Sequence, residues 1–153
     1  MIVESGTGTS AYFLHRHLSL KDLDIEVIAV PCIGSGEYLL QQMRQLDFGA
    51  GRTNVFPYIL FQDMRRIFAK TYQEHLDIWW TLSSETGIQF DLIYTPRAME
   101  QVLYWINKVP TMWKNTELMY LHCGGTTGVE SQFRRYQRDK SILIPSKALR
   151  LFG

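Results

Sequence analysis

ESGTGTSAYFL, Glu4 to Leu14, is the stretch from which the rest of the chain is read. The apolar residues Met1, Ile2 and Val3 lead into it, and Ser5-Gly6-Thr7-Gly8-Thr9-Ser10 forms a turn of small residues. Ala11, Leu14 and Leu18 then recur at i, i+3 and i+7, the spacing of one helix face. A strand, a glycine-rich turn and a helix in that order build an anion cradle. Glycine lets backbone N–H groups converge, the hydroxyls add donors, and the helix start supplies about half a positive charge. Phosphate is the natural occupant, although Gly/Thr/Ser runs also serve as plain turns.

Working outward, strand and helix patterns alternate. Residues 25–30 (IEVIAV) read as a strand ended by Pro31. Gly34-Ser35-Gly36 opens a helix through Tyr38, Leu39, Leu40, Met43 and Leu46, and Gly49-Ala50-Gly51 closes it. Residues 55–60 read as a short edge strand because they contain Pro57. A helix beginning at Phe61 or at Tyr72 runs to Ser84 and stops at Gly87. Residues 90–94 (FDLIY) lead to a strand-to-helix junction at Tyr94 and Thr95, with Pro96 in the first helical turn. Residues 118–122 form another strand, which enters CGGTTG (residues 123–128) and then a helix carrying Phe133 and Tyr136. Residues 142–153 show no firm period.

Alternation of this kind predicts an α/β fold, three-layer, with a mostly parallel sheet flanked by helices. Such sheets bind ligands beyond the carboxyl ends of their strands. The loops at Gly6 to Ser10, at Tyr94 and at Gly124 to Gly128 are all expected at that edge, which strengthens the phosphate reading. With 153 residues there is material for one domain, taken as 1–140 with a tail at 141–153.

Composition removes several classes. Sixteen Lys+Arg against 15 Asp+Glu give +1, so nothing electrostatic points to nucleic acid. The cluster Arg134, Arg135, Arg138 and Lys140 reads as a solvated helix face. No apolar run is long enough to span a membrane. His15 and His17 point to different helix faces, and no metal site is expected. Cys32 and Cys123 read as buried thiols in a reducing compartment, and the expectation is a cytoplasmic protein.

Three ordered stretches carry a resemblance: ESGTGTSA, FDLIYTPRAM and YLHCGGTTGVESQFRRY. Together they resemble the D-cysteine desulfhydrase and 1-aminocyclopropane-1-carboxylate deaminase family, pyridoxal-phosphate enzymes of the tryptophan-synthase-β type (fold type II). The resemblance runs from Ile2 to about Arg138. It implies that Gly6, Thr7, Gly8, Thr9 and Ser10 cradle the cofactor phosphate. It implies that Tyr94 lies beside cofactor and substrate, stacking, hydrogen-bonding or helping proton transfer. It also implies that Gly124, Gly125 and Thr126 form the family's GGT motif, with the Thr126 hydroxyl toward the pyridine nitrogen. The implied reaction is that of a lyase or deaminase on a small amino acid. Thr95 stands where deaminase members place a glutamate, which favours desulfhydrase-type chemistry.

The family also needs a lysine amine to bond the cofactor, in an Asn-Lys-x-Arg-Lys context before the phosphate loop. Lys21, Lys70, Lys108, Lys114, Lys140 and Lys147 all lack that context. The expectation is therefore the carboxyl-terminal part of a large cofactor domain, inactive as this chain alone. Its partners would be a missing amino-terminal half or a homodimer mate. A non-catalytic phosphate- or cofactor-binding fragment and an assembly partner without ligand are the alternatives.

Overall fold

The computed structural model describes residues 1–60 and 66–152. The chain is α/β, with a four-stranded, all-parallel sheet flanked by helices. It forms two compact units, Met1–Arg65 with Gln101–Cys123 and Arg66–Glu100 with Gly124–Gly153, called units 1 and 2 below.

Unit 1 holds the sheet. Its strands are β1 (Ile2–Ser5), β2 (Ile28–Pro31), β3 (Tyr58–Ile59) and β4 (Tyr120–Leu121), in the order β3-β2-β1-β4. The register pairs Ile2 with both Ile28 and Tyr120, and Ile28 with Tyr58. Helices α1 (Thr9–Leu20) and α2 (Gly36–Gly49) connect the strands and pack on one sheet face. There Val3, Ala29 and Ile59 meet Ala11, Tyr12, Leu18, Leu39 and Met43 in one core. Ile2, Ile28 and Val30 point the other way and are buried too. Burial on both faces explains why β2 is an unbroken apolar run.

Polar groups fix the helices where apolar pattern alone would let them slide. The Ser35 hydroxyl caps α2 by accepting from the Tyr38 N–H at 3.2 Å. At the other end, the buried Asp47 carboxylate accepts from the Tyr12 hydroxyl (2.8 Å), the Thr53 hydroxyl (2.7 Å) and the Thr53 and Asn54 amides (2.8 and 3.2 Å). Burial alone would raise the Asp47 pKa, but these donors outweigh it and hold it down to about 2. This network joins α1 to the loop after α2.

Unit 2 contains α3 (Gln73–Thr86), the first turns of α4 (Thr95–Lys108), α5 (Val129–Arg138) and α6 (Ser146–Phe152). Trp79 of α3 is buried, lies with its ring tilted 5.8 Å from that of Phe133 and donates its indole N–H to the Phe90 carbonyl at 2.8 Å. Gly87, at φ 69°, ends α3 in the left-handed conformation a helix stop requires.

Several expectations need correction. β2 starts at Ile28, not residue 25, and takes in Pro31, which accepts the Gln101 side-chain amide at 2.9 Å. Pro31 is tolerated because it is the last residue of its strand. Of residues 55–60 only Tyr58 and Ile59 pair. The helix start at Phe61 lies outside the described residues, and α3 begins at Gln73. Residues 90–94 form no strand, since the Asp91 carboxylate gathers the next backbone amides into a cap. Cys123 is exposed, not buried, because β4 ends at Leu121 and leaves it beyond the sheet. Residues without a firm period contain a short helix, α6.

A candidate anion loop and a capped tyrosine junction

The sheet order creates a switch point. From β1 the chain adds β2 and then β3 on one side, and later places β4 on the other side. The crevice outside the carboxyl ends of β1 and β4 is where ligands bind in sheets of this kind. Gly6, Thr7 and Gly8 leave β1 at that point and turn directly into α1.

Gly8 is the helix cap, at φ 79° and ψ 5°. A side chain there would be strained by the backbone, and its Cβ would lie 2.6 Å from Met43 Cε and 2.8 Å from Leu39 Cδ1. Glycine thus lets α1 start close against α2. The first intrahelical bond runs from the Tyr12 N–H to the Gly8 carbonyl at 2.9 Å. The amides of Thr9, Ser10 and Ala11 precede it and have no acceptor within the helix. Thr7, Thr9 and Ser10 are exposed, and the Thr7 and Thr9 hydroxyls share a hydrogen bond at 3.1 Å. The donors here are amides and hydroxyls at a helix start, a set that suits a phosphate. One carboxylate is close in sequence, that of Glu4, and it accepts a hydrogen bond from the Tyr120 hydroxyl across the β1–β4 pair.

Lys21 follows the far end of α1, about 18 Å along the helix axis. Lys108 lies over the Tyr104 and Trp105 rings at 5.1 and 4.8 Å, and Lys114 is exposed. In unit 2 the Lys70 ammonium lies 5.6 Å from the Tyr72 ring. The amides and hydroxyls of the loop at Gly6 to Ser10 fit a phosphate.

Tyr94, Gly124, Gly125 and Thr126 belong to unit 2. Buried Asp91 holds the backbone at Tyr94 and lies against Gly125. Its carboxylate accepts from the amides of Ile93 (2.8 Å), Tyr94 (2.6 Å) and Thr95 (3.0 Å), and from the Thr95 hydroxyl (2.7 Å). These bonds start α4 and fix the backbone of half-buried Tyr94, whose ring meets Phe68 edge-on at 5.4 Å. Gly125, at φ 82°, lies on Asp91 so closely that an added Cβ would be 3.3 Å from the Asp91 Cβ. Thr126 is half-buried and begins a 3-10 turn. The structure thus brings Tyr94 and Gly125 to one carboxylate that sequence reading passed over. An Asp four residues before a Thr-Pro helix start is the signal that could have found it. Asp91→Ala is expected to destabilise the protein by about 1–2 kcal/mol through loss of this cap, read as a lower midpoint in chemical denaturation.

A second cluster in unit 2 was also missed. The Glu100 carboxylate accepts from Arg66 (2.6 and 3.0 Å), Arg97 (3.1 Å) and His75 Nε2 (3.0 Å). Burial would raise its pKa, but the hydrogen bonds from His75 and Arg66 prevail and bring it down to about 2. A carboxylate depressed in the folded state adds stability above its unfolded pKa, and that stability is lost as pH falls through the folded value. Thermal melts should therefore hold their midpoint above about pH 4.5 and lose it progressively toward pH 2. Glu100→Gln should flatten part of that slope.

No helix among the described residues is long and apolar enough to cross a membrane. Among known proteins, no family model matches the chain, and no curated protein does.

Proposed function

We propose that Gly6, Thr7, Gly8, Thr9 and Ser10 bind the phosphate of pyridoxal phosphate, in a protein of the lyase or deaminase type that acts on a small amino acid. The observation that carries the reading is the left-handed Gly8 junction at the β1–β4 switch point, where amides and hydroxyls converge on the start of α1. When bound, the cofactor supplies an electron sink for charge developing at the substrate. In this reading Tyr94 faces the substrate and Thr126 offers a neutral hydroxyl to the ring nitrogen. Residue 95 is a buried threonine with its hydroxyl committed to Asp91, where the deaminase members that the chain resembles place a glutamate. That supports desulfhydrase-type over deaminase-type chemistry.

A second reading, phosphate-ligand binding without catalysis, is favoured by the sequence, in which no lysine has the context that the resembled family uses to bond the cofactor. One experiment separates the two: absorbance titration with pyridoxal phosphate, competition by inorganic phosphate, then borohydride reduction and peptide mapping. Saturable binding that phosphate competes away supports the cradle. A reduced adduct on one lysine would show that the chain bonds the cofactor by itself. Saturable binding with no adduct would favour the non-catalytic reading. A folded chain that binds neither pyridoxal phosphate nor phosphate would sink both.

A further inference from the structure

Residues 66–72 (RIFAKTY) lead into α3 within unit 2 as a strap without regular structure. Both ends of the strap are fixed. The Arg66 guanidinium bonds Glu100 at 2.6 and 3.0 Å and lies over the Tyr72 ring at 4.4 Å. The Tyr72 ring in turn meets His75 edge-on at 5.1 Å. Between these ends the Phe68 ring lies against half-buried Tyr94.

Little apolar burial holds the middle of the strap down. Ile67 is 68% exposed and Phe68 42%. Ala69 and Lys70 share with Leu92 and Ile93 the walls of two voids of about 10 Å³ each, so the underside is incompletely filled. Polar ties do the holding. The Ile67 N–H donates to the Tyr72 hydroxyl (3.0 Å), exposed Arg135 donates to the Ala69 carbonyl (2.5 Å), and the Thr71 hydroxyl donates to the Asp139 carboxylate (2.6 Å). Against them stands backbone strain. The Lys70 N–H closes a turn onto the Ile67 carbonyl at 3.3 Å, and the third residue of that turn, Ala69, has φ 59°. Turns with positive φ at that position favour glycine, and alanine is strained there.

We infer that residues 67–71 form a cover over Tyr94 that opens by local unfolding, with the strain at Ala69 opposing the ties from Arg135 and Thr71. Few buried apolar contacts and solvent-side ties are the marks of a segment that opens far below the global unfolding free energy. In the reading proposed above Tyr94 faces substrate, and the cover then sets when substrate reaches it. The cover itself rests neither on that reading nor on any ligand at the Gly8 loop.

Two measurements on the same protein test it: hydrogen exchange at the Ile67 and Lys70 amides, and nitration of Tyr94 by tetranitromethane located by peptide mapping. Exchange at both amides should be at least about tenfold faster than in the middle of α3. It should also ignore low urea, which speeds amides that exchange only by global unfolding. Thr71→Val removes a hydrogen bond to a charged group and should raise strap exchange and Tyr94 nitration together, by about tenfold. Ala69→Gly relieves the turn and should lower both by about threefold. Phe68→Ala should make nitration fast and indifferent to Thr71→Val. Strap amides that exchange only with global unfolding overturn the cover. So does nitration of Tyr94 that stays constant while Thr71→Val and Ala69→Gly shift the strap amides.

Discussion

Replacing Gly8 with valine is expected to abolish phosphate-competed binding of pyridoxal phosphate and to destabilise the fold by about 2–5 kcal/mol. Two costs add. A β-branched residue at φ 79° is strained wherever it is placed. The new side chain also enters space held by Met43 and Leu39, at 2.6 and 2.8 Å from its Cβ alone. Met43 Cε is the tip of a flexible side chain and can retreat. Leu39 is a fully buried residue in the core between α1, α2 and the sheet, and has less room. Gly8→Ala should therefore fold with a smaller loss, which makes it the variant for binding measurements. In that background affinity should fall because α1 must start farther from α2, shifting the amides of Thr9 and Ser10. Binding by folded Gly8→Ala that equals the parent would show that this junction is not the phosphate site.

Glu100→Ala is the second large effect, expected at about 3–5 kcal/mol. The carboxylate is the common acceptor for Arg66, Arg97 and His75, and Arg97 and His75 are buried. Removing it leaves the Arg97 guanidinium desolvated without its counter-charge and His75 without this hydrogen-bond partner, which costs more than the pair contributes when intact. Glu100→Gln keeps the size and one acceptor oxygen, and should fall between parent and alanine. Urea denaturation with an unchanged slope would read this as stability alone. An alanine variant as stable as the parent would mean that water reaches the cluster and replaces the carboxylate.

Much of the architecture was legible because it depends on local pattern. Ala11, Leu18, Leu39 and Met43 are buried as helical spacing requires, and the helices stop at Gly49-Ala50-Gly51, where Gly51 has positive φ, and at Gly87. Phe133 and Tyr136 lie three apart on α5 and are both buried. The Gly/Thr/Ser run announced a turn between strand and helix, and the turn is there. Misses occurred where a distant or polar partner decides. Residues 90–94 have strand composition, but a single carboxylate, Asp91, gathers three consecutive amides and winds them into a cap. Strand lengths were overread, since the ladder extends only as far as neighbouring strands run alongside.

By itself, then, the sequence determined the alternation of strands and helices, the parallel α/β class, the helix stops and the small-residue turn after β1. Each follows from periodicity or from the conformations open to glycine and proline, which act within a few residues. Tertiary structure alone decided the order β3-β2-β1-β4, which places that turn at a switch point, and the need for glycine at residue 8 against Leu39 and Met43. It alone assembled the carboxylate centres at Asp47 and Glu100. The partners of Glu100 and Asp47 reach back 34 and 35 residues along the chain, to Arg66 and Tyr12. No local pattern records which donors meet at a buried acceptor, because that choice is made by packing.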